Sequence, residues 1–186
     1  MFDLGPATEE MKRLVSGVQE AQLGEVTPCS DWTVADLLAH VHQFATVFTD
    51  NAHKQPSAPP ESLVPDWRVE IPRQLDALAR AWAAEEAWHG RVSAGGIDMD
   101  AADNAVVAVE ELTVHGWDLA SATGQVLRVG PDQLDVIDRF LDLFASGLPA
   151  GQGPFGPVVA VQADASRLDL TLAQTGRDPS WSTAHH

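Results

Sequence analysis

The chain has 186 residues, 45% of them hydrophobic, which is enough sequence for one domain with its own buried core. Its formal net charge is −16, from 27 acidic and 11 basic side chains, and this surplus of acids argues against partners such as nucleic acid or anionic membrane surfaces. Cys29 is the single cysteine, which excludes an intrachain disulfide and a zinc cluster built from cysteines.

The first half of the chain predicts three helices. Thr8 has the character of an N-cap for the first, which carries apolar residues at helical spacing and ends before Gly24. Thr33 caps the second, and Asp36 three residues later completes a capping box. A Pro- and Ser-rich connection then leads to a third helix that starts near Val69.

The second half predicts two more long helices. The segment GRVSAGGID, residues 90–98, is a break, after which a fourth helix begins near Asp100 and continues to Gly124. Pro131 suits the first position of a fifth helix, which stops at Gly147.

The last part of the chain differs in composition from the helical segments before it. From about residue 148 it is Gly- and Pro-rich, with one short apolar run, VVAV, that suits an extended segment, and a last short helix closed by Gly176. Four long helices with connections compatible with antiparallel neighbours predict an all-α fold. We expect a four-helix bundle with an additional helix and a short irregular C-terminal tail.

Two helical segments carry polar groups on faces that should be buried. His40 shares the face of Leu37 and Phe44 on the second helix, and Glu111 and His115 lie one turn apart on the fourth. A buried carboxylate is costly unless it is paired, protonated or bound to a cation. These three side chains therefore predict either a divalent metal site or a buried His–Glu hydrogen-bond network, unless they lie at the surface.

A set of two imidazoles and one carboxylate leaves a fourth position open for water, as catalytic zinc sites do. The same ligands also suit nickel, manganese or iron, so the ligand types do not fix the metal. Zinc is the ion that we expect first and nickel second. Asp118 follows His115 by one turn and could hydrogen-bond the second ring nitrogen of that histidine. The alternative for Asp118 is a solvated carboxylate near the helix end.

Three further residues are candidates for lining a ligand pocket. Trp32 and Trp117 each lie next to a segment that carries the proposed ligands, although packing within the bundle is the default for a tryptophan. Arg177 could bind a ligand carboxylate over the mouth of the site or form an ion pair that anchors the tail. Cys29 lies in the loop before the second helix, where we expect it to be chemically inert.

The ends of the chain carry no targeting signal that we recognise. The first residues lack the basic and apolar regions of a signal peptide, and no run of apolar residues is long enough to cross a membrane. We therefore expect a cytoplasmic protein that forms one domain over residues 1–186. His185 and His186 are excluded from the site because a terminal histidine pair can remain from a purification tag.

Four segments in order, TPCSDWTVADLLAHV, ELTVHGWDLASATG, FGPVVAV and TGRDPSW, resemble the actinobacterial metal-binding branch of the DinB/YfiT-like superfamily. This branch is related to the N-terminal domain of mycothiol-dependent maleylpyruvate isomerase. The resemblance runs from about Thr27 to Trp181. It implies an up-down-down-up four-helix bundle with one metal ion held by His40, Glu111 and His115.

Superfamily members of known activity use the metal to activate a low-molecular-weight thiol such as mycothiol, bacillithiol or glutathione. The resemblance thus implies a metal-dependent thiol S-transferase or isomerase-like enzyme, with a small-molecule thiol, mycothiol first, and an electrophile as its partners. A homodimer is also expected. A non-catalytic metal- or ligand-binding stress protein and a metal-dependent hydrolase are the alternatives. The isomerase's additional C-terminal domain has no counterpart in this sequence, so maleylpyruvate itself is not the expected substrate.

Overall fold

The computed structural model describes residues 1–29, 31–144 and 155–183, and in these ranges the protein is mostly helical with one small sheet. The elements in chain order are α1 Gly5–Gly17, α2 Val34–Ala52, α3 Trp67–Trp82, β1 Arg91–Ala94, β2 Ile97–Asp100, α4 Ala101–Thr123, α5 Pro131–Phe144 and α6 Arg167–Gln174. None of the helices in the described ranges is both long and apolar enough to cross a lipid bilayer.

The helices α1 to α4 form the predicted bundle. Both α1 and α2 pack against α3 and α4, while α5 packs on α4 and α6 packs on α5. Their apolar stripes meet in one core, which includes Leu14 of α1, Leu38 of α2, Leu75 of α3 and Leu112 of α4, all nearly inaccessible to solvent. Because α2 and α4 are neighbours, the two segments that carry the predicted ligands face each other.

The predicted bounds of α2 and α4 are confirmed. The backbone N–H of Asp36 donates to the Thr33 hydroxyl, and the Asp36 carboxylate accepts the backbone N–H of Thr33, which completes the capping box. α4 ends at Gly124, whose φ of 69° is the left-handed conformation that glycine adopts most readily. The third helix begins at Trp67, two residues before the predicted start.

The predicted start of the first helix is wrong. Thr8 lies inside α1, which begins at Gly5 because the Asp3 carboxylate accepts the backbone N–H of that glycine and Pro6 occupies the first turn. The helix ends at Gly17, which agrees with the predicted end before Gly24, and Glu20–Gln22 form a separate 3₁₀ turn.

The segment predicted as a break forms a β-hairpin, which the all-α prediction missed. β1 and β2 pair antiparallel through a two-residue turn at Gly95 and Gly96, whose φ values are 57° and 79°. Two successive residues with positive φ define the tight hairpin turn that a Gly-Gly pair favours. The Asn51 side chain on α2 donates to the backbone carbonyl of Ser93 at 3.0 Å, so the hairpin is fastened beside the bundle.

The C-terminal part is described from residue 155. The predicted end of α5 at Gly147 and the start of the tail lie outside the described residues. Residues 158–161, which carry the VVAV run, are described and form no strand. The last helix is confirmed as α6, and the chain turns after it at Gly176, whose φ is 76°.

Candidate metal centre

The structure brings the three predicted ligands together between α2 and α4. The Nε2 atoms of His40 and His115 lie 3.2 and 3.1 Å from the same oxygen, Oε2 of Glu111. All three ligand atoms lie within 4.8 Å of one another. Glu111 and His115 share one face because they are four residues apart on α4, and the packing of α2 supplies His40 from the opposite side.

This donor set fits a divalent cation. Zinc binds histidine nitrogen and carboxylate oxygen at about 2.0–2.2 Å, and tetrahedral angles then separate neighbouring ligand atoms by about 3.3–3.5 Å. The N···O distances of 3.1 and 3.2 Å are close to that separation. Two imidazoles and one carboxylate would supply three of the four ligands of a tetrahedral ion, which would leave one position for an exchangeable ligand.

Asp118 fixes the orientation of His115 through the ring nitrogen that does not face Glu111. Its Oδ2 atom accepts the Nδ1–H of His115 at 2.9 Å, and its side chain is completely buried. Arg177 donates to the same carboxylate, with Nη2 at 3.0 Å from Oδ2 and Nε at 3.4 Å from Oδ1. This chain of contacts leaves Nε2 of His115 as the nitrogen that faces Glu111.

The predicted pocket tryptophans lie in different places. The Trp32 ring contacts both imidazoles, with its centroid 4.8 Å from that of His40 and 5.9 Å from that of His115. Trp117 does not join them. It lines a separate small cavity beside Gln125, because it lies two residues after His115 and so on another side of α4.

The buried charges shift one another's protonation. Burial raises the pKa of the Glu111 carboxyl, but hydrogen bonds from His115 and His40 outweigh burial and hold that pKa well below its usual range. Burial lowers the pKa of His115, but hydrogen bonds to Asp118 and Glu111 raise it to about 10. Burial and the neighbouring charge of Glu111 raise the pKa of Glu110 to about 8.

Cys29 lies beside His115 and Asp118. Its thiol, His115 and Asp118 form a second group whose ligand atoms are all within 4.8 Å of one another. Burial and the charge of Asp118 raise the pKa of this thiol, which favours the protonated and less reactive form. The expected inertness of Cys29 agrees with this direction, although its position is closer to the ligands than its loop suggested.

A cavity of about 950 Å³ opens beside the three ligand atoms. It lies among α2, α4, α5 and the hairpin, and Cys29, Glu110 and Arg177 also line it. A set of phenylalanines, which we call the aromatic wall, forms much of the rest: Phe44, Phe48, Phe140, Phe144 and Phe155. The volume of the cavity is at the upper end of the range that is typical of small-molecule sites.

Sequence reasoning missed Glu110 and the aromatic wall. Glu110 is only 5% exposed and no hydrogen bond joins it to another described residue. Its signal was the helical register, because residue 110 follows Val107 by three positions and Val106 by four, both on apolar positions of α4. The aromatic wall had no local signal, since its members come from α2, α5 and the tail.

Comparison with known proteins identifies relatives of this chain. The sequence profile of the mycothiol maleylpyruvate isomerase N-terminal domain family matches residues 4–120. Uncharacterized proteins from two strains of Mycobacterium tuberculosis are each 28% identical over 162 residues, which covers 81% of this chain and 81% of theirs.

Two crystal structures of mycothiol-dependent maleylpyruvate isomerase, one of a histidine-to-alanine mutant, superpose on this chain with a TM-score of 0.52. Their sequence identities are 21% for the mutant and 22% for the other structure. The superposition covers 72% of this chain and 64% of the isomerase chain. The likeness therefore shows a shared fold, and this chain spans less than two thirds of the isomerase's length.

Proposed function

The chain belongs to the mycothiol maleylpyruvate isomerase N-terminal domain family, and from that membership we propose that it is a metal-dependent enzyme that uses a low-molecular-weight thiol, mycothiol first, as co-substrate. His40, Glu111 and His115 hold the metal ion in this proposal. The reaction is transfer of the thiol to an electrophile or a thiol-assisted isomerisation. Zinc is the expected ion and nickel the second choice.

One observation carries the proposal. Three ligand atoms from two helices converge with N···O distances of 3.1 and 3.2 Å, and they do so at the edge of a cavity of about 950 Å³. A structural metal site is closed by four protein ligands, whereas a catalytic site keeps a position for an exchangeable ligand. Three protein ligands beside a large cavity match the catalytic arrangement.

The residues around the ligands hold them in place for this chemistry. A bound divalent ion supplies the positive charge that lowers the pKa of a thiol and favours the nucleophilic thiolate. Asp118 keeps the proton of His115 on Nδ1, and Arg177 balances the charge of Asp118. Trp32 packs against both imidazoles and restricts their rotation.

In a transfer, the thiol gives up its S–H proton to water, and the resulting thiolate sulfur forms a bond to an electrophilic carbon of the second substrate. That substrate then releases a leaving group with its electron pair, or takes up a proton on the neighbouring carbon. The cavity has space for such a molecule next to the ligand atoms, and the aromatic wall reduces the access of water to it.

Cobalt(II) titration of chelator-treated protein tests the proposal. We expect one cobalt ion per chain with the visible absorption of a tetrahedral site, and a new near-ultraviolet thiolate-to-cobalt band when mycothiol is added. His115→Ala should weaken cobalt binding by at least about 100-fold, because it removes one of three ligands. His89→Ala is the matched control, since His89 is exposed and far from the ligands in chain order.

The other outcomes separate the rival functions. Cobalt binding with no spectral response to mycothiol would refute the thiol co-substrate and favour a non-catalytic metal-binding protein. Ester hydrolysis that needs the metal and that His115→Ala abolishes, again with no response to mycothiol, would favour a hydrolase. Equal cobalt affinity in the wild type and His115→Ala would refute the metal site.

A further inference from the structure

We propose that the second substrate is an uncharged, largely apolar electrophile that carries an aromatic ring, and that it binds against the aromatic wall. That this molecule is a substrate rests on the proposed function, whereas the apolar site that binds it is inferred from the geometry of the cavity alone. It concerns the part of the cavity away from the metal ligands.

The chemistry of the cavity changes along its length. The ligand atoms and Glu110 lie at one end of the cavity. Phe44 lies there too, with its ring centroid 5.5 Å from that of His40 and 6.4 Å from that of His115. The other four rings of the aromatic wall line the rest of the cavity. The wall consists of two groups of rings in contact, one on α2 and one from α5 and the tail. The Phe140 ring centroid lies 5.1 Å from that of Phe144 and 5.7 Å from that of Phe155, and Phe44 and Phe48 are 6.2 Å apart. Aromatic rings favour other rings in offset or edge-to-face contact, beyond the gain from apolar burial.

Aliphatic residues continue the apolar surface over about two helical turns. Val47 lies seven residues from His40 on α2, and Val107 lies eight residues from His115 on α4; both valines line the cavity. At 1.5 Å per residue these separations are about 10 and 12 Å. That length accommodates a molecule with two rings placed end to end, in addition to the thiol at the ligand end.

Away from the metal ligands, the charges of the protein at the cavity disfavour an anionic substrate. Arg177 is the only lysine or arginine among the described residues that line it. Its guanidinium already donates to Asp118 and, through Nη1, to the backbone carbonyl of Thr175 at 3.1 Å. Glu110 supplies no positive charge that could pair with a carboxylate. The net charge of −16 adds long-range repulsion.

Binding of the uncharged fluorescent probe N-phenyl-1-naphthylamine tests this inference directly. We expect saturable binding of one probe per chain, with enhanced fluorescence, in both chelator-treated and zinc-loaded protein. Val47→Trp fills the cavity and should weaken the affinity for the probe at least tenfold, and Val107→Trp should do the same from the opposite helix. Val69→Trp is the matched control, because Val69 is 65% exposed on α3 and does not line the cavity.

Competition between ligands then tests the charge argument. An uncharged two-ring electrophile, trans-chalcone, should displace the probe, whereas the dianion maleate should not. Absence of saturable binding, equal effects of Val47→Trp, Val107→Trp and Val69→Trp, or displacement by maleate as readily as by chalcone would each overturn the inference. His115→Ala should retain probe binding while it loses cobalt, so failure of the metal site and failure of the apolar site give different results.

Discussion

Asp118→Asn is the substitution that tests the support of the metal centre most sharply. The Asp118 side chain has no exposed surface and accepts from two partners, His115 Nδ1 at 2.9 Å and Arg177 Nη2 at 3.0 Å. Asparagine has nearly the same shape but no charge, and its amide has a single carbonyl oxygen. The variant therefore leaves the Arg177 guanidinium without its counter-charge in a mostly buried position.

The expected effects are large on both stability and metal affinity. Removing one partner of a buried ion pair destabilises a protein by roughly 3–5 kcal/mol, and the retained carbonyl oxygen places this case near the lower figure. Loss of a carboxylate that orients a ligand histidine typically weakens metal binding 10- to 100-fold, which is about 1.4–2.8 kcal/mol. The loss of stability and the loss of metal affinity have one cause, the removal of the negative charge of Asp118.

Urea unfolding and zinc competition titration measure the two effects separately. Asp103→Asn is the matched control, because it makes the same change on α4 in a solvent-exposed pair with Arg139 at 2.7 Å. Exposed ion pairs contribute about 0.2–1 kcal/mol, so the control should lose little stability and no zinc affinity. If Asp118→Asn resembles Asp103→Asn in both assays, the assigned role of Asp118 is wrong.

Two further predictions concern the bundle. Burial raises the pKa of Glu10, but hydrogen bonds from the Arg13 side chain and the Arg128 backbone N–H leave it below its usual value. Glu10→Gln should therefore lower the free energy of unfolding at pH 7 by about 1.5–3 kcal/mol. The difference from wild type should shrink below about pH 4.5, because the wild-type carboxylate then becomes protonated. Urea unfolding from pH 7 to 3 measures this difference, and a pH-independent difference would contradict the prediction. Thr33→Ala removes the hydroxyl that accepts the backbone N–H of Asp36 at the start of α2. The free energy of unfolding in urea should fall by about 1 kcal/mol with an unchanged m-value. An unchanged free energy of unfolding would show that the cap is dispensable.

The bundle and the ligand positions could be predicted because their signals are local. The i, i+4 spacing of Glu111 and His115 on an apolar face fixed their relation within one helix. His40 faced inward by the same periodicity, and the resemblance to a metal-binding family linked it to the other two. The capping box of α2 is equally local, because Thr33 and Asp36 are three residues apart.

The features that were missed depend on chain reversal and on distant segments. The hairpin had a local signal in Gly95 and Gly96, but the short strands around them were too polar to suggest a sheet. The first helix was misplaced because Thr8 matches an N-cap, while Asp3 and Pro6 define an earlier start. The aromatic wall needs α2, α5 and the tail to line one cavity, and no spacing in the sequence encodes that arrangement.

Anomalous diffraction at the zinc edge from crystals of the zinc-loaded protein is the most direct measurement of the metal centre. We expect one peak between α2 and α4, at about 2.0–2.2 Å from Nε2 of His40, Nε2 of His115 and a carboxylate oxygen of Glu111. No peak at that position, or a peak held only by exposed histidines such as His53 or His89, would contradict the proposed metal site and the thiol chemistry that depends on it.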